Sequence, residues 1–174
     1  LKIAFANEVG LLCHEHGADS DVVMAALKSD RRNIAGPGYL KPGLPDGGPC
    51  RPRDLQVLRY LRPGLFRHLA VLREEQATWY AALISKYAED QKLPVMIAGR
   101  AYKPGVELED GSPSLLIADC LKNAGLAITF YDPKHPPEHP VILFLGTAER
   151  KSWSLPNDSI LIDPWGCVES VTGL

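Results

Sequence analysis

The hydrophobic pattern of the chain changes period at residue 93. Before it, apolar positions recur in steps of three and four. From Leu65 to Tyr87 they fall at 65, 69, 72, 76, 79, 83 and 87, with Gln76 the one polar member, which predicts a single long amphipathic helix. Leu1, Phe5 and Leu12, with small residues between them, predict a helix from residue 1 to about 16 that Gly17 closes. Asp19 or Ser20 caps a short second helix with Val22, Val23, Ala26 and Leu27 on its apolar face, ending near Asp30. From Leu93 the run Leu-Pro-Val-Met-Ile-Ala-Gly reads as a buried strand. Ser112 caps a helix that runs through Asn123 with Pro113 in its first turn and Gly125 beyond its end. Residues 126–131, 141–145 and 160–162 read as further strands. Strands alternating with a helix predict a small parallel sheet whose ligands gather at the carboxyl ends of the strands. The expected fold is therefore α + α/β, an all-helical domain over residues 1–92 followed by a small Rossmann-like parallel-sheet domain over residues 93–174.

Two features interrupt this plan. Residues 33 to 49 hold five glycines and four prolines with few aliphatic residues, a loop long enough to expect a function of it. Leu1 already sits inside a periodic segment with no capping residue before it, which suggests that the chain starts in mid-helix and is part of a longer protein. The stripe from Leu65 to Tyr87 needs a cover, either helices of the same chain or a second copy.

At 174 residues with 45% hydrophobic content the chain can bury a substantial core. Its net charge of −2 and scattered basic residues exclude a nucleic-acid surface, and no apolar run is long enough to span a bilayer, so a cytoplasmic setting is the expectation. Cys13, Cys50, Cys120 and Cys167 form no Cys-x-x-Cys pair, which argues against a disulfide framework or a zinc ribbon. His14, His16, His135 and His139 belong to a helix end and to proline-flanked turns, so no metal site is expected.

The candidate chemistry lies in Gly47-Gly48-Pro49-Cys50-Arg51-Pro52-Arg53-Asp54. A helix starting at Cys50 puts the thiol at the positive end of the helix dipole, where a thiolate is favoured, and places Asp54 one turn on along the same face. Gly47 and Gly48 allow close approach to the backbone. The competing reading is a proline-rich turn with an inert cysteine and a capping aspartate.

This octapeptide resembles the Gly-Gly-x-Cys-x-Pro-Lys-Asp signature of the UDP-glucose/GDP-mannose dehydrogenase family. Phe5-Ala6-Asn7-Glu8 resembles that family's central helix motif, and Gly99-Arg100-Ala101-Tyr102-Lys103 its later Gly-x-Ala-Phe-Lys motif. The loop through Tyr39-Leu40-Lys41-Pro42-Gly43 is closer to the GDP-mannose branch. The resemblance covers the central helical and C-terminal nucleotide-binding domains of that family. Its N-terminal dinucleotide-binding domain has no counterpart, since no Gly-x-Gly-x-x-Gly occurs in the chain.

The resemblance implies an NAD-dependent 6-dehydrogenase that oxidises a sugar nucleotide to the uronate through a thiohemiacetal and a thioester on Cys50, with Asp54 holding the hydrolytic water. It further implies substrate contacts at Arg32, Tyr39, Leu40, Gly47, Gly48, Tyr102 and Lys103, a cofactor-side charge at Arg53, NAD bound mainly by the domain that has no counterpart here, and a homodimer formed through the helical domain. Arg53 stands where the family has lysine and keeps the charge but not the capacity to shuttle a proton. The chain departs from the family pattern at Asp46, Pro49 and Asp110-Gly111. The rival expectation is a non-catalytic nucleotide-sugar-binding or dimerisation module diverged from that family.

Overall fold

Among the described residues, four helices precede the first strand: α1 (Lys2–Glu15), α2 (Ser20–Ser29), α3 (Cys50–Leu61) and α4 (Leu65–Gln91). The remaining elements are β1 (Val95–Ala98), α5 (Pro113–Asn123), β2 (Ile128–Phe130), β3 (Ile142–Leu145), β4 (Trp153–Leu155), β5 (Ile160–Ile162) and β6 (Val171–Gly173). The computed structural model describes residues 1–30, 40–45, 47–61, 64–149, 152–169 and 171–173; Arg32, Tyr39 and Asp46 lie outside them.

Local chemistry explains most element boundaries. The Asp19 carboxylate accepts from the backbone N–H groups of Asp21 at 2.8 Å and Val22 at 3.3 Å, capping α2. Gly17, at φ 66°, follows α1 in the left-handed region. Pro113 opens α5 after Ser112, and Gly125, at φ 83°, follows its end.

Strands β1, β2, β3 and β5 form one parallel sheet in the order β2-β1-β3-β5. Side chains alternate across it with period two. Val95, Ile97, Ile142 and Phe144 pack against Ala77, Tyr80, Ala81, Ile84 and Ala88 of α4 and Ile117, Ala118 and Leu121 of α5. Ala98, Leu143 and Leu145 face the opposite way onto Trp153 and Leu155. Both faces are covered, as a parallel sheet requires. Strands β4 and β6, which the pattern did not signal, pair parallel in a separate two-stranded sheet. Each is three residues long, too short for a period to be read.

Three helical faces differ from expectation. In α1 the buried residues are Ala6, Asn7 and Cys13, whereas Leu1, Phe5 and Leu12 are 72%, 48% and 55% exposed. In α2 Met24 is buried and Val22 is exposed. In α4 the core face runs through Ala77, Tyr80, Ala81, Ile84 and Ala88, rotated from the predicted stripe, whose ends Leu65 and Tyr87 are exposed. The reason is shared. Alanines let α4 approach the sheet and α5 closely, and a pattern weighted toward bulky residues passes over them. Because α4 enters the core beneath the sheet, it belongs structurally to both parts of the chain.

Gln76, the polar member of the stripe, is buried for a reason. Its Nε2 donates to the Gly43 carbonyl at 2.9 Å and its Oε1 accepts from Asn7 Nδ2 at 2.8 Å. The Gly43 N–H donates to Asn7 Oδ1 at 3.1 Å, Tyr80 Oη donates to the same Gly43 carbonyl at 3.2 Å, and Asn7 Nδ2 also donates to the Leu44 carbonyl at 3.3 Å. The loop before α3 is thus fastened to α1 and α4 by buried polar groups. Replacing Gln76 with alanine removes a donor and an acceptor from a site that water does not reach, so Gln76→Ala should lower unfolding stability by about 1–3 kcal/mol. Thr78→Ala, on the exposed face of α4, should stay within about 0.5 kcal/mol. Equal urea midpoints for the two variants would show that the network does not hold the loop.

Candidate functional site

The loop held at Gly43 runs on through Leu44 and Pro45 to the glycine pair and Cys50. Gly43 has no room for a side chain, since a Cβ there would lie 2.7 Å from the Trp165 ring. Trp165 sits on the turn after β5, with its indole N–H donating to the Leu145 carbonyl at 3.2 Å. Asp163 builds that turn by accepting from the backbone N–H groups of Trp165, Cys167 and Val168.

The glycine pair interlocks with the loop that precedes α5. The Gly48 N–H donates to the Gly111 carbonyl at 3.1 Å, and a Cβ on Gly47 would lie 2.6 Å from Pro113. Gly48, at φ +96°, faces the Tyr102 ring, which a Cβ would approach to 2.9 Å. Glycine is required here by the positive φ and by the contact. The cysteine turn of the helical part and the strand-end loop of the sheet are therefore joined.

Cys50 begins α3 and is exposed. Asp54, one turn on, is bound by its neighbour: Arg53 Nε and Nη2 reach Asp54 Oδ1 at 3.1 and 3.0 Å, with both side chains largely exposed. The hydrogen bond to Asp54, its charge, and the charge of Cys50 raise the Arg53 pKa. Arg53, expected on the cofactor side, is thus committed to Asp54. Asp54 faces a groove between α1, α3 and α4 that Leu1, Ala4, Leu58 and Phe66 also line.

Tyr102 and Lys103 lie on the loop after β1, with the Lys103 ammonium 5.2 Å from the Tyr102 ring centroid. The Tyr102 N–H donates to the Leu108 carbonyl at 3.1 Å, and Arg100 grips Glu109 through two nitrogens while its guanidinium lies 4.3 Å over the Phe130 ring. The hydrogen bond from Arg100 holds the Glu109 carboxyl below its usual pKa. The tie is therefore present at neutral pH and is lost as pH falls through that lowered value.

The two parts enclose a cleft of about 310 Å³ lined by Lys41, Gly43, Gly47, Arg51, Tyr102 and Trp165 among others. Of the expected substrate residues it unites Gly47 and Tyr102. Gly48 is buried under Tyr102, and Lys103 is exposed on the outer side of the same loop. Leu40 does not line the cleft: its side chain, 3% exposed, packs with Ala6 and Met24 because the loop re-enters the helical core there. Arg32 and Tyr39 lie outside the described residues. Sequence reasoning missed Trp165 and Arg51 as cleft residues, and their only signal was an aromatic and a cation close to glycine-rich turns.

The crevice between the carboxyl ends of β1 and β3, where strand order reverses, is filled by the protein itself. Ser114 Oγ donates to the Gly99 carbonyl at 2.7 Å, and the Thr147 side chain occupies the space beside Gly99. Ligand recognition at the strand ends is thereby shifted to the Tyr102 loop and the cleft.

Residues 1–76 match the model of the UDP-glucose/GDP-mannose dehydrogenase family, central domain. The chain is 27% identical over 139 residues to UDP-glucose 6-dehydrogenase YwqF of Bacillus subtilis, covering 76% of this chain and 31% of that protein. It is 29% identical over 137 residues to GDP-mannose 6-dehydrogenase of Pseudomonas putida, covering 75% and 31%. The chain thus spans about a third of the length of these relatives. In fold it is similar to a UDP-N-acetyl-mannosamine dehydrogenase from Staphylococcus aureus, with TM-score 0.75 at 20% identity over 99% of this chain and 45% of the other. From the match over its helical part and the kinship of most of its length, the chain belongs to the UDP-glucose/GDP-mannose dehydrogenase family.

Proposed function

We propose that this chain supplies the central and nucleotide-binding C-terminal portions of an NAD-dependent nucleotide-sugar 6-dehydrogenase, acting on UDP-glucose, GDP-mannose or a similar sugar nucleotide. The observation that carries this reading is the hydrogen bond from the Gly48 N–H to the Gly111 carbonyl, which joins the cysteine turn to the loop bearing Tyr102 and Lys103. A nucleophile and a nucleotide-facing loop from different parts of the chain then serve one substrate.

Cys50 is the nucleophile that adds to the carbonyl carbon of a sugar aldehyde, and its exposure at the start of α3 suits that attack. Arg53 keeps a positive charge beside the thiol, and Asp54, anchored by Arg53, orients water toward a thioester. Tyr102, Lys103 and the Gly47-Gly48 turn take the nucleotide side. Arg32 and Tyr39 are assigned to the sugar, with Arg32 reaching the site of a second copy. The residues present do not form a dinucleotide cradle: the sequence has no Gly-x-Gly-x-x-Gly, and Thr147 and Ser114 fill the crevice at the strand ends. NAD, the hydride acceptor in this reading, is accordingly not assigned to this chain's residues.

Iodoacetamide should modify Cys50 first, because Cys13 is buried, Cys120 and Cys167 are half-buried, and burial pushes the Cys167 thiol pKa up. Among UDP-glucose, GDP-mannose and UDP-N-acetyl-mannosamine, at least one should both raise the melting temperature and slow Cys50 alkylation. Peptide mapping showing Cys120 or Cys167 modified faster, or no protection by any of the three, would overturn the assignment.

Lys103→Ala should weaken the binding of that sugar nucleotide by about 1–3 kcal/mol, the cost of losing a charged hydrogen bond. Folding should be unchanged, because Lys103 is exposed. Equal affinities by calorimetric titration would remove Lys103 from the site.

The exposed face of α1 with Leu1, Phe5 and Leu12 is assigned to a two-fold contact between copies. Light scattering at micromolar concentration should give a dimer, and Phe5→Glu should convert it to a monomer; a monomeric unaltered chain would refute the contact.

A further inference from the structure

The cleft between the two parts is lined by two cations and two aromatic rings and by no carboxylate. Lys41 and Arg51 come from the helical part, on either side of the fastened loop; Tyr102 and Trp165 come from the turns after β1 and β5. The lysine lies on the Trp165 side, where its Nζ would be 4.0 Å from a Cβ on Gly166. Trp165 is immobilised, with its ring against Gly43 and its indole N–H on the Leu145 carbonyl, so it presents a rigid surface at little entropic cost. Elsewhere on the strand-end loop Glu107, Glu109 and Asp110 offset Arg100 and Lys103, and Arg100 is bound to Glu109. The positive field needed by an anionic ligand is therefore concentrated in this cleft.

A doubly charged anion attached to a flat ring matches two cations and a rigid indole. We infer that Arg51 and Trp165 form the nucleoside-diphosphate subsite of this chain: Arg51 binds the diphosphate together with Lys41, and Trp165 stacks on the base. This assignment rests on the proposed nucleotide-sugar reading and goes beyond it by naming the two residues that discriminate nucleotide from sugar. Guanidinium suits the role because its fork binds phosphate oxygens in pairs. A cleft of about 310 Å³ is at the lower end of the range for small-molecule sites and accommodates a nucleotide rather than a whole sugar nucleotide. The sugar then extends out of the cleft, along the glycine pair.

The test is titration of the chain with UDP, GDP and inorganic pyrophosphate, followed by tryptophan emission and by calorimetry. UDP or GDP should quench emission in the unaltered chain, and pyrophosphate should bind with much less quenching. Arg51→Gln should weaken both the nucleotide and pyrophosphate at least 10-fold and flatten the salt dependence of binding. Trp165→Phe, which keeps a ring against Gly43, should lose most of the quenching and weaken the nucleotide several-fold while leaving pyrophosphate unchanged. Circular dichroism identical to the unaltered chain establishes that each variant is folded. Nucleotide binding that survives Arg51→Gln and retains its quenching in Trp165→Phe would overturn this assignment alone. Failure of the unaltered chain to bind either nucleotide would overturn it together with the reading it rests on.

Discussion

The structure depends on a single glycine held from every side. Gly43 donates its N–H to Asn7, shares its carbonyl between Gln76 and Tyr80, and lies against the face of Trp165. Four elements distant in sequence converge there: α1, α4, the loop before α3, and the turn after β5. Each hydrogen bond is worth only about 0.5–1.5 kcal/mol net, but a buried group left unpaired costs more than its bond contributes. The network therefore acts as a unit, and losing one member strands the others. This gives a proline- and glycine-rich loop one conformation, a task that apolar packing alone does poorly.

From that anchor the cysteine turn is fixed in two steps. Gly43 sets the path of the loop, and the interlock of Gly47 and Gly48 with Gly111, Pro113 and Tyr102 sets its far end. Cys50 then starts α3 a short covalent distance from a point tied to the sheet. Helix α4 closes the circuit, since one helix carries Gln76 and Tyr80 beneath the loop and Ala81, Ile84 and Ala88 beneath β1 and β3. The helical part and the sheet are joined by a rigid rod and a latched loop rather than by a linker.

The parallel sheet was legible because its strands are continuous runs of aliphatic residues bounded by glycine and proline, and its register leaves no polar residue facing the core. Helix positions were legible for the same reason, through caps such as Asp19 and Pro113. The buried faces were not, because alanines carry the packing of α4 and an asparagine carries that of α1. At the site, the Cys50 octapeptide and the Tyr102–Lys103 motif stand out as local strings. Arg51 and Trp165 do not, because what unites them is a cleft formed by segments more than a hundred residues apart. Gln76 marked the network in advance as the one polar break in an apolar stripe, but its partners Asn7 and Gly43 could be identified only from the fold.

The filled crevice at the strand ends has a consequence for how this sheet recognises a ligand. A doubly wound sheet ordinarily offers the gap at its reversal of strand order, with backbone amides free to meet an anion. Here Thr147 and Ser114 occupy that gap, and Ser114 consumes the Gly99 carbonyl. What the sheet still offers is the rigidity of its turns. Tyr102 and Trp165 are held by β1 and β5, while the cations come from the latched loop and α3. Charge and ring surface are thus supplied by opposite walls, and their separation is set by the Gly43 network. A change in that network, remote from any ligand, shifts the walls relative to one another and alters recognition without touching a contacting residue.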